Sequence, residues 1–346
     1  MKAVILAGGK GTRLRPLTIY TPKPIVPVVN RPFLEYQIEV LKRAGVTDIA
    51  ISLSYQPDKI EHFWGDGAEL GVRLSYLTEA IPLGTGGAYR FAADGCETAT
   101  VVVNGDILTD IDLAEIIRTH KERKAIATLT LTRVEDTSRY GLVELDPEGK
   151  VVRFLEKPKP EEAAKIGVNT INAGIYILEP EVLALAPKGE NRSFETQIMP
   201  EIIERGMPFF GHVIEQNYWS DIGTPATYLE ANLDLLSGKI RGFELAENTG
   251  SEIAAGASVD DVSRLAEDCT VKPGAEIRSS VLGRGVLVEE RAVIENSVIW
   301  PHTRIAAGAV IRDAVVGRSC HIGRHASVGK GAILGDKTQL TDYTRV

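Results

Sequence analysis

Apolar and polar residues follow two different rules along this chain, and the change comes near residue 240. Before that point, short apolar runs alternate with amphipathic stretches. A strand pattern over 3–7 precedes a helical one over 32–44, then come a strand over 49–53, a helix over 57–64, a strand over 74–77, a helix over 86–93 and a strand over 100–103. The β-branched and apolar run at 100–103 has no polar face, which is the pattern of a strand buried on both sides. Strand and helix in alternation predict an α/β domain with a mostly parallel sheet. Three later strands, at 125–133, 141–145 and 151–154, are joined by turns such as DPEGK and predict that part of the sheet is mixed.

From Ile253 the period becomes six. Ile253, Val259, Leu265, Val271 and Ile277 are six apart, and after a slip of one the series runs Leu282, Val288 and Ile294. A second slip gives Ile299, Ile305 and Ile311, and a third gives Val316, Ile322, Val328, Leu334 and Leu340. Glycine and small polar residues fill the intervals, as in GRHASVGKGAILG. This is the signature of a hexapeptide parallel β-helix, in which each coil buries its apolar side on the next. Ordinary hairpins would place turn signals about every 8–12 residues instead. The expected organisation is a Rossmann-like α/β domain over 1–240, a polar and glycine-containing boundary over 237–251, and a β-helix over 250–346.

Composition narrows the function without naming it. The chain of 346 residues is 44% hydrophobic and 25% charged, with a net charge of −8. That balance predicts no general nucleic-acid or membrane-binding surface, so any anion must be met locally. Cys96, Cys269 and Cys320 are scattered, with no metal-binding spacing and no disulfide framework, which fits a reducing compartment. The opening apolar run is too short for a signal-peptide core, and no run approaches the ~18 residues of a membrane span, so a cytoplasmic location is expected.

The local anion site to look for is LAGGKGTRLRPLT, Leu6 to Thr18, which places three glycines and two arginines behind the first strand. Backbone N–H groups of such a turn can cradle a phosphate. The spacing fails the dinucleotide fingerprint, because Leu14 stands where the third small residue belongs, and no Gly-Lys-Ser/Thr of a Walker motif occurs. What remains is a loop with its own guanidiniums, Arg13 and Arg15, followed by Lys23 between two prolines, a set of cations suited to a polyphosphate.

With PKP after it, that segment resembles the signature of the sugar-1-phosphate nucleotidylyltransferases. Further blocks of the family follow in order: PLGTGGA from Pro82, VNGD ending at Asp106, YGLVE from Tyr140, FLEKP from Phe154, NAGIY from Asn172 and WSDIGTP from Trp219. The resemblance spans the chain and implies that the hexapeptide tail is a left-handed β-helix. It also implies the reaction: a sugar-1-phosphate oxygen attacks the α-phosphorus of a nucleoside triphosphate and pyrophosphate leaves. Such a transfer needs alignment and charge neutralisation more than covalent help from the protein.

On the matching positions, the resemblance implies nucleotide contacts from Leu6, Ala7, Gly8, Gly9, Gly11, Thr12, Glu79, Pro82, Gly84 and Thr85. Arg13 is expected to stabilise the leaving pyrophosphate and Lys23 to lie near the α-phosphate. Arg15 is divided between phosphate contact and an ordinary surface role. Asp106 and Asp221 are the expected carboxylates for Mg²⁺, whose shell substrate phosphates would complete. Tyr140, Gly141, Glu156, Lys157, Asn172 and Gly174 are expected on the sugar-phosphate side, with Trp219 packing beneath Asp221. The six histidines have no assigned role, and His321 and His325 are expected at the surface of the β-helix.

Base choice is expected at TEAIPLGTGGA. Glu79 could accept from the two donors that guanine presents on one edge, where uracil and thymine offer one, and GTGGA resembles the guanylyltransferase version of the segment. GTP and mannose-1-phosphate are therefore the expected substrates, with thymidylyl, uridylyl, glucose and heptose variants left open. A non-catalytic regulatory subunit is the reading of another class, but Arg13, Lys23, Asp106 and Asp221 are all present. An added acyltransferase activity would call for a catalytic histidine on a protruding coil loop, and the tail has no long insertion. The ends and faces of a β-helix predict a homo-oligomer.

Overall fold

A computed structural model describes residues 1–79 and 81–346. The chain forms two compact units that are not contiguous in sequence: Met1–Gly9 with Tyr36–Trp219, and Lys10–Glu35 with Ser220–Val346.

The first unit is built on a nine-stranded sheet. Its strands are β1 (Lys2–Leu6), β2 (Asp48–Leu53), β3 (Arg73–Thr78), β4 (Thr100–Asn104), β5 (Ala127–Arg133), β6 (Gly141–Leu145), β7 (Val151–Glu156), β8 (Thr170–Leu178) and β9 (Phe209–Val213). The main path runs β7-β6-β8-β4-β1-β2-β3, and β5 joins β8 to β9. Pairings among β4, β1, β2 and β3 are parallel, whereas β8 runs antiparallel to β4, β5 and β6. The sheet is mixed, as the turn-linked later strands predict. Residues 3–5 of β1 and 101–102 of β4 have no exposure, which explains why both read as unbroken apolar runs.

Helix α1 (Phe33–Arg43) lies in this unit from Tyr36 onward, and α2 (Pro57–Trp64), α3 (Gly84–Ala92), α4 (Leu113–Glu122), α5 (Pro160–Ile166) and α6 (Met199–Glu204) belong to it entirely. The β-α crossovers put β2 and β3 on one side of β1 and β4 on the other, so strand order reverses between β1 and β4. In open α/β sheets ligands bind outside the carboxyl ends of strands at such a point. Leu6–Gly9 and Asn104–Asp106 leave the sheet there. Helix α3 begins two residues earlier than its apolar pattern predicts, at Gly84, for a reason that lies in the neighbouring segment 190–198.

The second unit contains the β-helix. Sixteen short strands form three parallel sheets of six, five and five, and each strand contains one of the sixteen positions singled out by the six-residue period. The three slips have one cause. Ile277 to Leu282, Ile294 to Ile299 and Ile311 to Val316 all turn the same corner, where Ser279, Asn296 and Asp313 adopt φ near +45° and the turn takes one residue fewer. Buried hydroxyls replace the missing backbone partners there. Ser263, Ser280 and Ser297 each accept from the amide one coil on, at Ser280, Ser297 and Ala314. Inside, Val271, Ile277, Val288, Ile294, Ile305, Ile311 and Ile322 stack with no exposure. These stacked strands form a parallel β-helix.

The segment Lys10–Glu35 and helix α7 (Pro225–Leu236) are part of the same unit. Tyr228 of α7 accepts from the indole N–H of Trp300 at 2.9 Å and donates to the carbonyl of Pro27. Asn232 accepts from the amide of Val29 at 2.8 Å, and the Asn30 amide donates to the carbonyl of Leu282. Pro16 lies against Gly335, where an added Cβ would come within 3.0 Å of its ring. The arginine-bearing arm of the signature is thus held by the β-helix and α7.

Candidate active site

At the carboxyl end of β1 the chain turns through Leu6–Gly9. The Ala7 amide donates to the carbonyl of Ser52 at 2.9 Å, and a Cβ on Gly8 would meet the Ser54 hydroxyl at 3.1 Å. Gly9 faces open space. Asp106 follows Gly105, which is pressed against this turn: its amide donates to the Leu6 carbonyl at 2.9 Å, and a Cβ there would lie 2.8 Å from the same oxygen. Only glycine lets the strand end carrying Asp106 approach the loop so closely. Gln37 fixes the turn from below, donating to the carbonyls of Asn104 and Ile107 at 2.9 and 2.7 Å.

Glu79 directly follows the edge strand β3 and is half-buried. One carboxylate oxygen accepts from the Ser52 hydroxyl at 2.8 Å and the other from the Leu83 amide at 2.9 Å. A carboxylate has about four acceptor positions, so two remain and their direction is set. Pro82 precedes α3, and Gly84 and Thr85 are its first two residues. Ala80, in the middle of the expected base-reading stretch, lies outside the described residues.

The same unit brings Tyr140, Gly141, Glu156 and Lys157 together. Lys157 pairs with Glu156 at 2.8 Å, its amide donates to the Tyr140 carbonyl, and a Cβ on Gly141 would meet the Glu156 carboxylate at 3.0 Å. Trp219 meets the Tyr140 ring edge to face at 5.6 Å and donates its indole N–H to Ala173 at 2.8 Å. Asn172 and Gly174 sit on β8. Asn172 donates to the Tyr176 hydroxyl and accepts from the Gly174 amide, so its side chain first shapes this turn. Gly174 has φ +76°, and its close neighbour is Asn104, 2.8 Å from a Cβ built there. Burial among apolar groups pushes the Tyr176 hydroxyl far above its ordinary pKa and keeps it a neutral donor and acceptor.

In the second unit, Gly11 adopts φ +61° and opens a single 3₁₀ turn, Thr12–Leu14. The Thr18 hydroxyl donates to the Gly11 carbonyl at 2.7 Å. A Cβ on Gly11 would touch Lys23 Cβ at 3.3 Å, so the glycine turn and the lysine are brought side by side. Arg13 and Asp221 share the space beside Gly223, where a Cβ would lie 2.9 Å from Asp221 Oδ2 and 3.3 Å from both terminal nitrogens of Arg13. A guanidinium and a carboxylate thus both border the same glycine in this unit.

Sequence reasoning missed Ser52, Gln37 and the segment 190–198. Ser52 carried one weak signal, a hydroxyl inside the otherwise apolar strand DIAISL. Among the described residues no three or more His, Cys, Asp or Glu side chains cluster as a metal cage. Asp106 lies in the first unit and Asp221 in the second, and each carboxylate by itself is a hard oxygen ligand of the kind that Mg²⁺ takes. Among the described residues no helix is long and apolar enough to cross a membrane.

Comparison with known proteins places this geometry in a family. The nucleotidyl transferase family matches residues 2–238, and the EIF2B subunit epsilon LbH domain matches residues 246–346. A mannose-1-phosphate guanylyltransferase of Mycobacterium tuberculosis is 36% identical over 312 residues, covering 89% of this chain and 82% of that protein. Mannose-1-phosphate guanylyltransferase 1 of Arabidopsis thaliana is 34% identical over 93% of this chain and 92% of its own length. A UTP–glucose-1-phosphate uridylyltransferase of Synechocystis is 33% identical, over 92% and 88% respectively. Enzymes of this kind generally use a divalent metal. The chain belongs to the nucleotidyl transferase family and is a sugar-nucleotide-type nucleotidyltransferase that carries a left-handed β-helix.

Proposed function

We propose that the enzyme transfers GMP from GTP to mannose-1-phosphate, releasing pyrophosphate. The observation that carries this reading is the fixed Glu79 carboxylate, held by Ser52 and Leu83 with two acceptor positions left for the N1–H and N2–H₂ donors of guanine. The names of the M. tuberculosis and plant relatives support the same pair of substrates. Leu6, Ala7, Gly8, Gly9, Gly11, Thr12, Pro82, Gly84 and Thr85 contact the nucleotide. Arg13 bears the charge of departing pyrophosphate, and Lys23 that of the α-phosphate. Glu156 and Asn172 bind sugar hydroxyls, Lys157 the sugar phosphate, and Tyr140, Gly141 and Gly174 line the sugar side.

Asp106 and Asp221 would hold Mg²⁺, which would supply neutralisation of phosphate charge. The chain's own contribution is to set the sugar phosphate oxygen in line with the scissile α–β bond and to spread cations over the phosphates; alignment and preorganised charge supply most of such rate gains. In this reading 1–240 is the catalytic domain and 250–346 the β-helix, and the protein is a cytoplasmic homo-oligomer.

Uridylyl transfer to glucose-1-phosphate is the second reading, favoured by the Synechocystis relative. Pyrophosphate release measured for GTP, UTP, ATP and dTTP, each against mannose-, glucose- and N-acetylglucosamine-1-phosphate, separates the two. The expected result is highest kcat/KM with GTP and mannose-1-phosphate. Preference for UTP with glucose-1-phosphate overturns the proposal, and a chain inactive on every pair overturns catalysis itself.

A further inference from the structure

The sequence GTGG at the start of α3 looks like a second phosphate cradle, but the structure spends those amides elsewhere. The N–H groups of Gly86 and Gly87 both donate to the carbonyl of Arg192, at 2.9 and 3.1 Å. The glycines are there for that segment too. A Cβ on Gly84 would lie 2.5 Å from the Arg192 carbonyl oxygen, one on Gly87 2.6 Å from that of Glu190, and one on Gly86 2.3 Å from Ile198. Residues 190–198, which no motif singled out, lie along the whole loop.

Six hydrogen bonds join 191–195 to 82–87. Besides the two to Arg192, the Arg192 amide donates to the Leu83 carbonyl at 2.8 Å, and Asn191 donates to that of Pro82 at 2.9 Å. The Thr85 hydroxyl donates to Glu195 at 2.8 Å and accepts from the Phe194 amide at 2.9 Å. Glu195 is itself oriented: the Ser193 hydroxyl donates to the same carboxylate oxygen at 2.7 Å and accepts from the amides of Glu195 and Thr196. Phe194 anchors the segment in the core, 1% exposed, with ring centroids 5.4 Å from Tyr89 and 5.3 Å from Tyr176. Leu83 links the two sides of the arrangement. Its amide donates to Glu79 and its carbonyl accepts from Arg192.

We infer that Glu195, acting through Thr85, is a positioning residue that sets the nucleotide-binding loop 82–87 and, through Leu83, the direction of the Glu79 carboxylate that reads the base. The inference rests on the function proposed above. A half-buried carboxylate accepting from two hydroxyls restrains the segment through Thr85, so its loss lets that segment relax while the sugar-phosphate residues stay in place. The effect falls on nucleotide binding and base choice. Losing one such hydrogen bond is worth about a factor of ten in affinity.

The test compares Glu195→Leu, Glu195→Gln, Thr85→Val and Thr85→Ser in the full-length protein, measuring KM for GTP and for mannose-1-phosphate, kcat, the GTP-over-UTP ratio of kcat/KM, and the thermal midpoint. Glu195→Leu and Thr85→Val are expected to raise KM for GTP and lower the GTP-over-UTP ratio, each about tenfold. KM for mannose-1-phosphate should stay within about twofold. Glu195→Gln and Thr85→Ser, which keep an acceptor and a hydroxyl, are expected to restore most of the loss. Unchanged GTP kinetics in both disrupting variants overturn the inference, as does an equal loss on both substrates that follows a fall in thermal midpoint. If Glu195→Leu does not fold, Thr85→Val gives the same readout. Those results leave an active wild type standing; a wild type that turns over no nucleoside triphosphate overturns the proposed function, and this inference with it.

Discussion

Trp300, on the β-helix, donates its indole N–H to the phenolic oxygen of Tyr228 on α7, and that hydroxyl in turn donates to the carbonyl of Pro27 on the signature arm. Trp300 is 1% exposed and Tyr228 is completely buried, and burial pushes the Tyr228 hydroxyl well above its ordinary pKa. The pair ties the β-helix to the stretch that bears Arg13 and Lys23. Trp300→Phe keeps most of the volume and removes the donor, so it should cost about 1 kcal/mol in urea unfolding. Activity should fall by more than stability predicts, because the arm loses a fixed point. A variant that matches the wild type in both shows that the hydrogen bond does not secure the arm.

Gly84 has φ +72°, and the space where a Cβ would go is filled by the Arg192 carbonyl oxygen. Gly84→Ala should therefore cost about 1–3 kcal/mol through strain and displaced backbone. The thermal midpoint and KM for the nucleotide report the two effects separately. A variant with a wild-type midpoint means that the loop has another accessible conformation.

Asp106→Asn and Asp221→Asn keep size while removing a charge. Each should lower kcat/KM by about 10²–10³ and raise the Mg²⁺ concentration needed for half-maximal rate. Pyrophosphate release across a Mg²⁺ series checks this. An unchanged Mg²⁺ requirement in both variants removes these aspartates from the metal assignment.

His120 is 1% exposed on α4, between the Thr128 hydroxyl at 2.8 Å and the Glu179 carboxylate at 3.2 Å. Burial depresses its pKa below 6.5, and Glu179 only partly opposes the shift. The folded state therefore binds fewer protons than the unfolded chain below about pH 6.5, so stability is full above that value and falls as pH drops through it. His212, also depressed by burial, adds in the same direction. The thermal midpoint should decline from pH 7 to pH 5, and less steeply in His120→Gln. Equal slopes would show that His120 does not titrate with unfolding.

The β-helix was legible because its side chains point inward or outward by a fixed count, so Ile253 through Leu340 declare their coils without tertiary information. The slips were visible as well, but their cause is a shared corner at Ser279, Asn296 and Asp313 that only the stacked coils reveal. The central strands were readable for the related reason that burial on both faces demands an unbroken apolar run. Asp106 and Glu79 could be marked because they stand in the family blocks VNGD and TEAIPLGTGGA. The engagement of both Glu79 oxygens could not, since Ser52 and Leu83 reach it by folding rather than by spacing. Segment 190–198 was silent for a similar reason. Half of its hydrogen bonds to 82–87 run from backbone to backbone, and backbone groups leave no trace in a sequence.

The chain passes from one compact unit to the other between Gly9 and Lys10, inside the signature itself. The two family matches meet near residue 240, and an engineer would naturally splice there to exchange β-helices between relatives. Such a chimera would separate the arm from Leu282, Trp300 and Gly335, which are supplied by the part being exchanged. A working recombinant has to carry residues 10–35 along with its β-helix. The unit of inheritance for this enzyme is then an N-terminal arm and a C-terminal coil that travel together, although most of the catalytic sheet is written between them.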